Sequence, residues 1–195
     1  GPIGWAQVPT LADHPDRTMQ NTATHAIGAS FELTEEQKAV RDAARDFAQN
    51  VLKPGVIERD REQRFPKDEI RQLGELGFLG MMVSPEYGGG GMDAVSYVLA
   101  MEEISKVDAS CSVVMSVNNS LVCWGLETFG NEEQKRKYLV PLAKGEVIGA
   151  FCLSEPEAGS DATSQRTTAI DMGDHYLLNG TKNWITNGGS ASTYL

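Results

Sequence analysis

Residues 145–161 read GEVIGAFCLSEPEAGSD, and the change of pattern inside this stretch decides the fold. Upstream of it apolar residues recur at helical spacing. Within it Val147, Gly149, Phe151 and Leu153 alternate with Ile148, Ala150 and Cys152, the period of a strand. Pro156 and Gly159 then force a turn in which the Ser154 and Ser160 hydroxyls and free backbone N–H groups gather. Such a nest suits phosphate or the polar ring atoms of a ligand. Composition equally admits a Pro/Gly turn that satisfies its own polar groups. The segments TTAI, HYLL and NWIT follow, and Asn179-Gly180 predicts a type I′ hairpin between HYLL and TKNWIT. The fold class is therefore α+β, an all-α helical bundle over residues 31–146 followed by the first strands of a β-barrel-like domain over 147–195. Strand edges left unpaired at Leu195 point to a β domain that extends past this stretch.

Moving towards the N-terminus, Asn131 with Gln134 three residues on caps a helix through Tyr138 and Leu139 towards Gly145. Residues 109–126 carry no charge over 18 positions, long enough for a membrane span. Six of them are Ser or Asn, however, with Asn118-Asn119-Ser120 at the middle, so a central helix surrounded by the bundle is the better reading. Val95, Val98 and Leu99 through Ile104 suggest another helix. The four glycines Gly88–Gly91 read as a flexible connection, since no Lys-Ser/Thr follows to make a phosphate loop. Pro66, with Ile70, Leu73 and Leu76 before Gly77, gives a helix with a first-turn proline and a glycine stop. Thr34 and Gln37 make a capping box for a helix that runs to Pro54. Residues 1–30 hold three of the eight prolines and no period, and read as an unstructured leader or appended segment.

The chain has 195 residues with 41% hydrophobic and 23% charged, ordinary globular usage. Its net charge of −10 argues against nucleic-acid binding and gives no attraction to anionic lipid. Three scattered cysteines without a CxxC pair exclude a disulfide framework and a structural zinc site, and point to a reducing compartment. His14, His25 and His175 have no partner at catalytic spacing. Cys152 reads as a small packing residue.

The run CLSEPEAGSDATS resembles, position by position, the signature that opens the middle domain of the acyl-CoA dehydrogenase family of flavoenzymes. NGTKNWITNGG resembles that family's second flavin-contacting segment, and the likeness extends over residues 31–195, including YGGGG and NEEQKRKYL. The resemblance implies FAD as cofactor, bound by Phe151, Cys152, Leu153, Ser154, Gly159, Ser160, Trp184, Ile185 and Thr186. Of these, Thr186 would donate to the hydride-accepting flavin nitrogen and Trp184 would lie along the ring. Ser160 would also meet the CoA substrate, and Val117 in MSVNNSL would shorten the acyl pocket towards butyryl-like chains, each methylene being worth roughly 1–3 kcal/mol.

The resemblance further implies α,β-dehydrogenation of short-chain acyl-CoA to trans-2-enoyl-CoA, electron-transferring flavoprotein as partner, a homotetramer, no metal, and a bacterial cytoplasmic location with the mitochondrial matrix as the alternative. Glu155, Glu157 and Asp161 belong to the cofactor turn. The family's base comes from a C-terminal helical domain, so no catalytic residue is expected in this chain, and by itself it is expected to be inactive. A branched-chain acyl-CoA dehydrogenase, an acyl-CoA oxidase and a non-catalytic helical scaffold stay open.

Overall fold

A computed structural model of the chain describes residues 32–195; the leader read at residues 1–30 lies outside the described residues. Thr34 opens the first helix through the capping box its sequence predicts. Its Oγ1 accepts from Gln37 N at 3.1 Å, the Gln37 side chain accepts from Thr34 N at 3.0 Å, and α1 follows as Glu35–Phe47. Pro54 does not end the rod. The chain widens into a π-helical turn, Ala48–Leu52, tightens into a 3₁₀ turn, Lys53–Gly55, and resumes as α2, Val56–Glu62. Pro54 stands in the first positions of that 3₁₀ turn, where its missing N–H costs nothing.

Helix α3, Lys67–Glu75, starts one residue after Pro66, which occupies the N-cap rather than the first turn. It stops at Gly77 as expected, with φ +80° and Phe78 N donating to Leu73 O at 3.1 Å. Leu76 falls past the end of the buried stripe and is exposed, unlike Ile70 and Leu73. The glycine run is an ordered seam rather than a loose connection. Gly90, Gly91 and Met92 donate backbone N–H groups to Gly80, Val83 and Met81 at 2.8–2.9 Å. A Cβ on Gly89 would lie 2.2 Å from Val83 O, so the closeness of the two backbones explains glycine there.

Helix α4, Ala94–Ser105, forms where predicted. Val95 and Val98 face outward, while Ser96, Ala100, Glu103 and Ile104 are buried. The face turned to α1 holds small residues and Glu103, which Arg45 of α1 grips with two hydrogen bonds of 3.1 Å. The uncharged stretch is one helical run, Ala109–Phe129, made of α5, Ala109–Ser116, a π-helical segment, Val117–Cys123, and α6, Trp124–Phe129.

By length and composition this run could cross a membrane, yet half of it is buried inside the fold. It is not surrounded as expected: Val113, Leu121, Trp124 and Phe129 are exposed. Its two asparagines are fully buried because each amide is spent on backbone. Asn119 accepts from Met81 N at 2.8 Å and donates to Phe78 O at 2.8 Å and Met115 O at 3.0 Å. The Asn131–Gln134 box then starts α7, Glu132–Gln134, which continues through a π-helical turn, Lys135–Leu139, into α8, Val140–Ala143.

The core has two parts. One joins Ala44, Phe47 and Leu52 to Ile70, Leu73, Leu79, Met81, Ile104 and Met115; the other joins Val83, Tyr87, Val122, Leu126, Leu139 and Leu142, with Val117 and Phe151 packed against it.

Strand β1 is only Gly149–Ala150, pairing in parallel with β4, Thr193–Tyr194; β2, Thr168–Asp171, pairs antiparallel with β3, Tyr176–Asn179. β2 and β3 are joined by the turn Met172–His175, with Gly173 at φ +97° donating its N–H to Asp171 Oδ1, whereas the hairpin predicted at Asn179-Gly180 does not form because no strand follows β3 there. Gly180 is needed for a different reason: a Cβ there would strike Thr167 Oγ1 at 2.2 Å. The NWIT strand does not form. Trp184 and Asn187 take φ +59° and +67°, and two left-handed residues end an extended run whatever its β propensity.

Candidate functional site

The two glycine-flanked motifs lie side by side. Asn183 N donates to Ser154 O at 2.9 Å, and Lys182 Nζ bonds both Glu155 Oε1, at 2.7 Å, and Leu153 O, at 3.3 Å. Glu155 is the knot of this arrangement. Its carboxylate is buried, accepts Arg166 N at 2.6 Å and Thr167 N at 3.2 Å, and pairs with Lys182. Three segments far apart in sequence are held by one side chain. Pairing between residues so distant leaves no mark on local periodicity, which is why reading the sequence assigned Lys182 no role.

The turn after Glu155 is closed by reciprocal backbone bonds, Glu155 N to Ala158 O at 3.0 Å and Ala158 N to Glu155 O at 3.1 Å. Pro156 and Glu157 form its corner, so Gly159 lies just beyond the turn rather than forcing it. A Cβ on Gly159 would meet nothing within 4 Å, leaving open space beside its backbone. Ser160 is exposed next to it.

The predicted residues divide into three groups. Phe151 and Val117 are half-buried on the same core cluster, placing the helix wall against the end of β1. Cys152 continues the ladder with its N–H to Leu195 O at 2.7 Å, and its free thiol is half-buried. Leu153, Ser154, Gly159 and Ser160 follow the turn. Trp184 stands 95% exposed, while Ile185 and Thr186 turn inward. Thr186 and Asn187 line a cleft of about 870 Å³ whose other walls include Arg59, Phe65, Asp108 and Val113. Trp184 and Ser160 are not part of that cleft.

The floor of the cleft is charged but closed. Arg59, 5% exposed, bonds Glu69 Oε1, Asp108 Oδ2 and Leu52 O at 2.7–2.8 Å. Burial opposes the guanidinium charge, yet the bond to Asp108 and the charges of Glu69 and Asp108 outweigh it and raise the Arg59 pKa. The same pairing, helped by Cys111 N, holds Asp108 below its ordinary value against the effect of burial. Two carboxylates to one guanidinium leave no net positive charge to offer an anion.

No carboxylate of the turn is poised to remove a proton. The bond from Lys182, followed by the N–H groups of Arg166 and Thr167, holds Glu155 down to about 2. Asp161 is lowered by Ser164 and Thr163. Glu157 is exposed and pairs with Arg166 at 3.5 Å. A folded-state pKa below the ordinary 4.5 means that the clamp stabilises the fold fully above about 4.5 and is lost as pH falls towards about 2. Urea unfolding of wild type and Lys182→Met should therefore differ most above that window, with the difference shrinking as pH descends through it. A gap that stays constant across the window refutes the clamp.

The arrangement can hold a planar, polar-edged ligand. The hydroxyls of Ser154, Ser160 and Thr186 and the N–H groups of Gly159 and Ser160 have no partner among the described residues, and Trp184 offers an open aromatic face. Among the described residues no group of three His, Cys, Asp or Glu gathers to hold a metal.

The sequence profile of the acyl-CoA dehydrogenase N-terminal domain matches residues 34–146, and that of the acyl-CoA dehydrogenase middle domain matches 150–195. A short-chain specific acyl-CoA dehydrogenase of Clostridium acetobutylicum is 49% identical over 165 residues, covering 85% of this chain and 44% of that protein. The butyryl-CoA dehydrogenase of Megasphaera elsdenii superposes with a TM-score of 0.79 at 43% identity, over 84% of this chain and 44% of that one. A glutaryl-CoA dehydrogenase of Mycobacterium smegmatis, solved in complex with FADH2, superposes at 0.79 with 38% identity, over 83% of this chain and 42% of that one. The chain thus spans about two fifths of the length of these relatives.

Proposed function

The chain belongs to the acyl-CoA dehydrogenase family, and from that premise we propose that it contributes the flavin-facing and acyl-facing walls of an enzyme that desaturates short-chain acyl-CoA thioesters to trans-2-enoyl-CoA. The observation that carries this reading is the pairing of the two motifs by Asn183–Ser154 and Lys182–Glu155, which sets unpartnered hydroxyls beside an exposed indole. Those residues fit FAD: polar ring edges would answer the free donors and acceptors, and the exposed Trp184 indole would offer the ring an aromatic partner. Bound FAD would supply a two-electron acceptor for the hydride that leaves the β-carbon of the thioester.

In this reading Ser154 and the backbone of Phe151 and Leu153 would meet the pyrimidine edge, with Cys152 held on the ladder by its N–H to Leu195 O and Ile185 turned inward beside Trp184. Gly159, bare of a side chain, lets the diphosphate approach, and Ser160 meets the CoA portion. The Thr186 hydroxyl would donate to the bound ring, and a preorganised donor there would favour the transition state over the ground state. Val117 closes the acyl pocket at short length. The proton from the α-carbon requires a carboxylate of raised pKa. Glu155 and Asp161 are held in the opposite direction, so the base lies outside these turns.

In this reading the bound cofactor would hand its electrons on to an electron-transferring flavoprotein and the assembly would be a homotetramer; family membership supports both. The three free thiols, two of them buried, support a reducing compartment such as a bacterial cytoplasm.

The test uses the protein at its full natural length. It should purify with bound flavin, and butyryl-CoA should bleach the flavin's visible absorbance anaerobically, with longer acyl chains slower by about tenfold or more per pair of excluded methylenes. Absence of flavin overturns the reading. Stoichiometric hydrogen peroxide release in air would instead assign an oxidase.

A further inference from the structure

Gly149 is held at both its N–H and its C=O by buried asparagines. Its N–H donates to Asn118 Oδ1 at 2.9 Å, and its C=O accepts from Asn187 Nδ2 at 2.9 Å. The neighbouring groups of the strand pair conventionally, Ile148 O with Ser192 N at 3.0 Å and Ala150 O with Leu195 N at 2.9 Å. Only the edge of β1 away from β4 is served by side chains. The backbone at that point rests directly on the π-helical segment, because a Cβ on Gly149 would lie 2.5 Å from Val122 Cγ1.

Each asparagine is itself anchored. Asn118 is fully buried and donates to Leu79 O at 2.8 Å and Leu142 O at 3.3 Å, which ties it to the rigid centre of the bundle. Asn187 is 8% exposed, takes the left-handed φ of +67°, and accepts at its own carbonyl from Ser190 N and Ala191 N at 2.8–2.9 Å. Asn is one of the few side-chain-bearing residues that adopts this conformation readily. The residue before Asn118 is Val117, and the residue before Asn187 is Thr186. One continuous path of short hydrogen bonds therefore runs from the helix turn carrying Val117, through a single peptide residue, to the turn carrying Thr186.

We infer that Asn118 and Asn187 are positioning residues that fix the acyl-pocket wall at Val117 against the Thr186 turn by gripping the N–H and the C=O of Gly149. The inference rests on the reading of Thr186 and Val117 proposed above and deepens it: selectivity for acyl length and placement of the flavin-facing hydroxyl share one mechanical link. Both asparagines reach the two walls through Gly149, and Asn187 also lines the cleft beside Thr186. Loss of either grip lets the two walls shift independently, and displacement of reacting groups by about 1 Å costs up to about a hundredfold in rate.

The test compares wild type with Asn187→Gly, which keeps the positive φ and removes only the amide, and with Asn118→Ser. In the flavin-loaded protein at full natural length, Asn187→Gly should lower the rate of flavin reduction by butyryl-CoA about tenfold or more while KM stays within about twofold. Asn118→Ser should weaken discrimination between butyryl- and hexanoyl-CoA. Independently of activity, NMR of the flavin-free protein should show Asn187→Gly moving the Val117 methyl signals and Asn118→Ser moving the Thr186 amide signal.

An unchanged reduction rate accompanied only by a lower melting temperature overturns the inference, as do shifts confined to the neighbours of each substitution. If Asn118→Ser does not fold, Asn187→Gly decides alone. If wild type binds no flavin, the functional reading fails while the two NMR outcomes still decide the link.

Discussion

Arg59→Met lowers the unfolding free energy by about 3–5 kcal/mol, because it strands two carboxylates in the interior. Arg59 is 5% exposed and pairs with Glu69 and Asp108 at 2.8 Å each, partners whose side chains are only 13% and 6% exposed. Coulomb attraction inside the fold has offset the desolvation of all three charges, so removing the cation leaves that cost with nothing opposed to it. Asp108 has a second task, accepting from Cys111 N at 3.0 Å as the N-cap of α5. The triple change Arg59→Met, Glu69→Leu, Asp108→Ser removes every charge but keeps a capping oxygen, and should recover most of the loss. Chemical denaturation of the two variants checks both statements. A single variant within about 1 kcal/mol of wild type means that the cluster is not desolvated as its burial indicates. By contrast Lys38→Ala, which breaks the exposed pair with Glu35, should change stability by less than about 0.5 kcal/mol.

Asn119→Leu is the second large loss, on the order of 3 kcal/mol, since an unsatisfied buried backbone group costs about 1–3 kcal/mol and two groups outside any helix, Met81 N and Phe78 O, are left at once. Met81 N, Phe78 O and Met115 O all end on this amide, and Asn119 is 1% exposed. Leucine fills similar space but offers no donor or acceptor. Amide exchange distinguishes the cause: Met81 N–H should exchange far faster in the variant, whereas a packing defect would loosen α5 and its neighbours generally. Equal Met81 protection in both proteins would show that the hydrogen bond does not carry the effect.

Much of the helical layer was legible because its signals are local. A capping box needs only Thr34 and Gln37, or Asn131 and Gln134, and both boxes form. A glycine stop needs only a positive φ, which Gly77 adopts at +80°. The central uncharged helix was read correctly as a helix of the bundle, since two adjacent asparagines demand polar partners that backbone carbonyls and N–H groups of a folded protein provide. The motifs of the candidate site were legible in the same way, as fixed orders of residues around turns.

The failures share a cause. Val95 and Val98 signalled α4 yet lie on its exposed face, because the partner face on α1 presents Arg45 and a buried Glu103 answers it. NWIT has the residues of a strand, yet Trp184 and Asn187 take left-handed φ values, and Asn187 is fixed there by its bond to the distant Gly149 O. Asn179-Gly180 has the residues of a hairpin turn, yet Gly180 is there because Thr167 crosses within reach of a Cβ.

The sequence by itself determined which segments are helical, where the first and the seventh are capped, and that a β layer follows the bundle. Only the tertiary structure decided how those motifs are joined. Glu155 with Lys182, Arg59 with Asp108, and Gly149 between Asn118 and Asn187 are partnerships across 27, 49, and 31 and 38 residues. Propensity and periodicity are sums over neighbours along the chain. A buried charge or amide takes its partner from whatever the fold brings within about 3 Å, and that choice is made by packing.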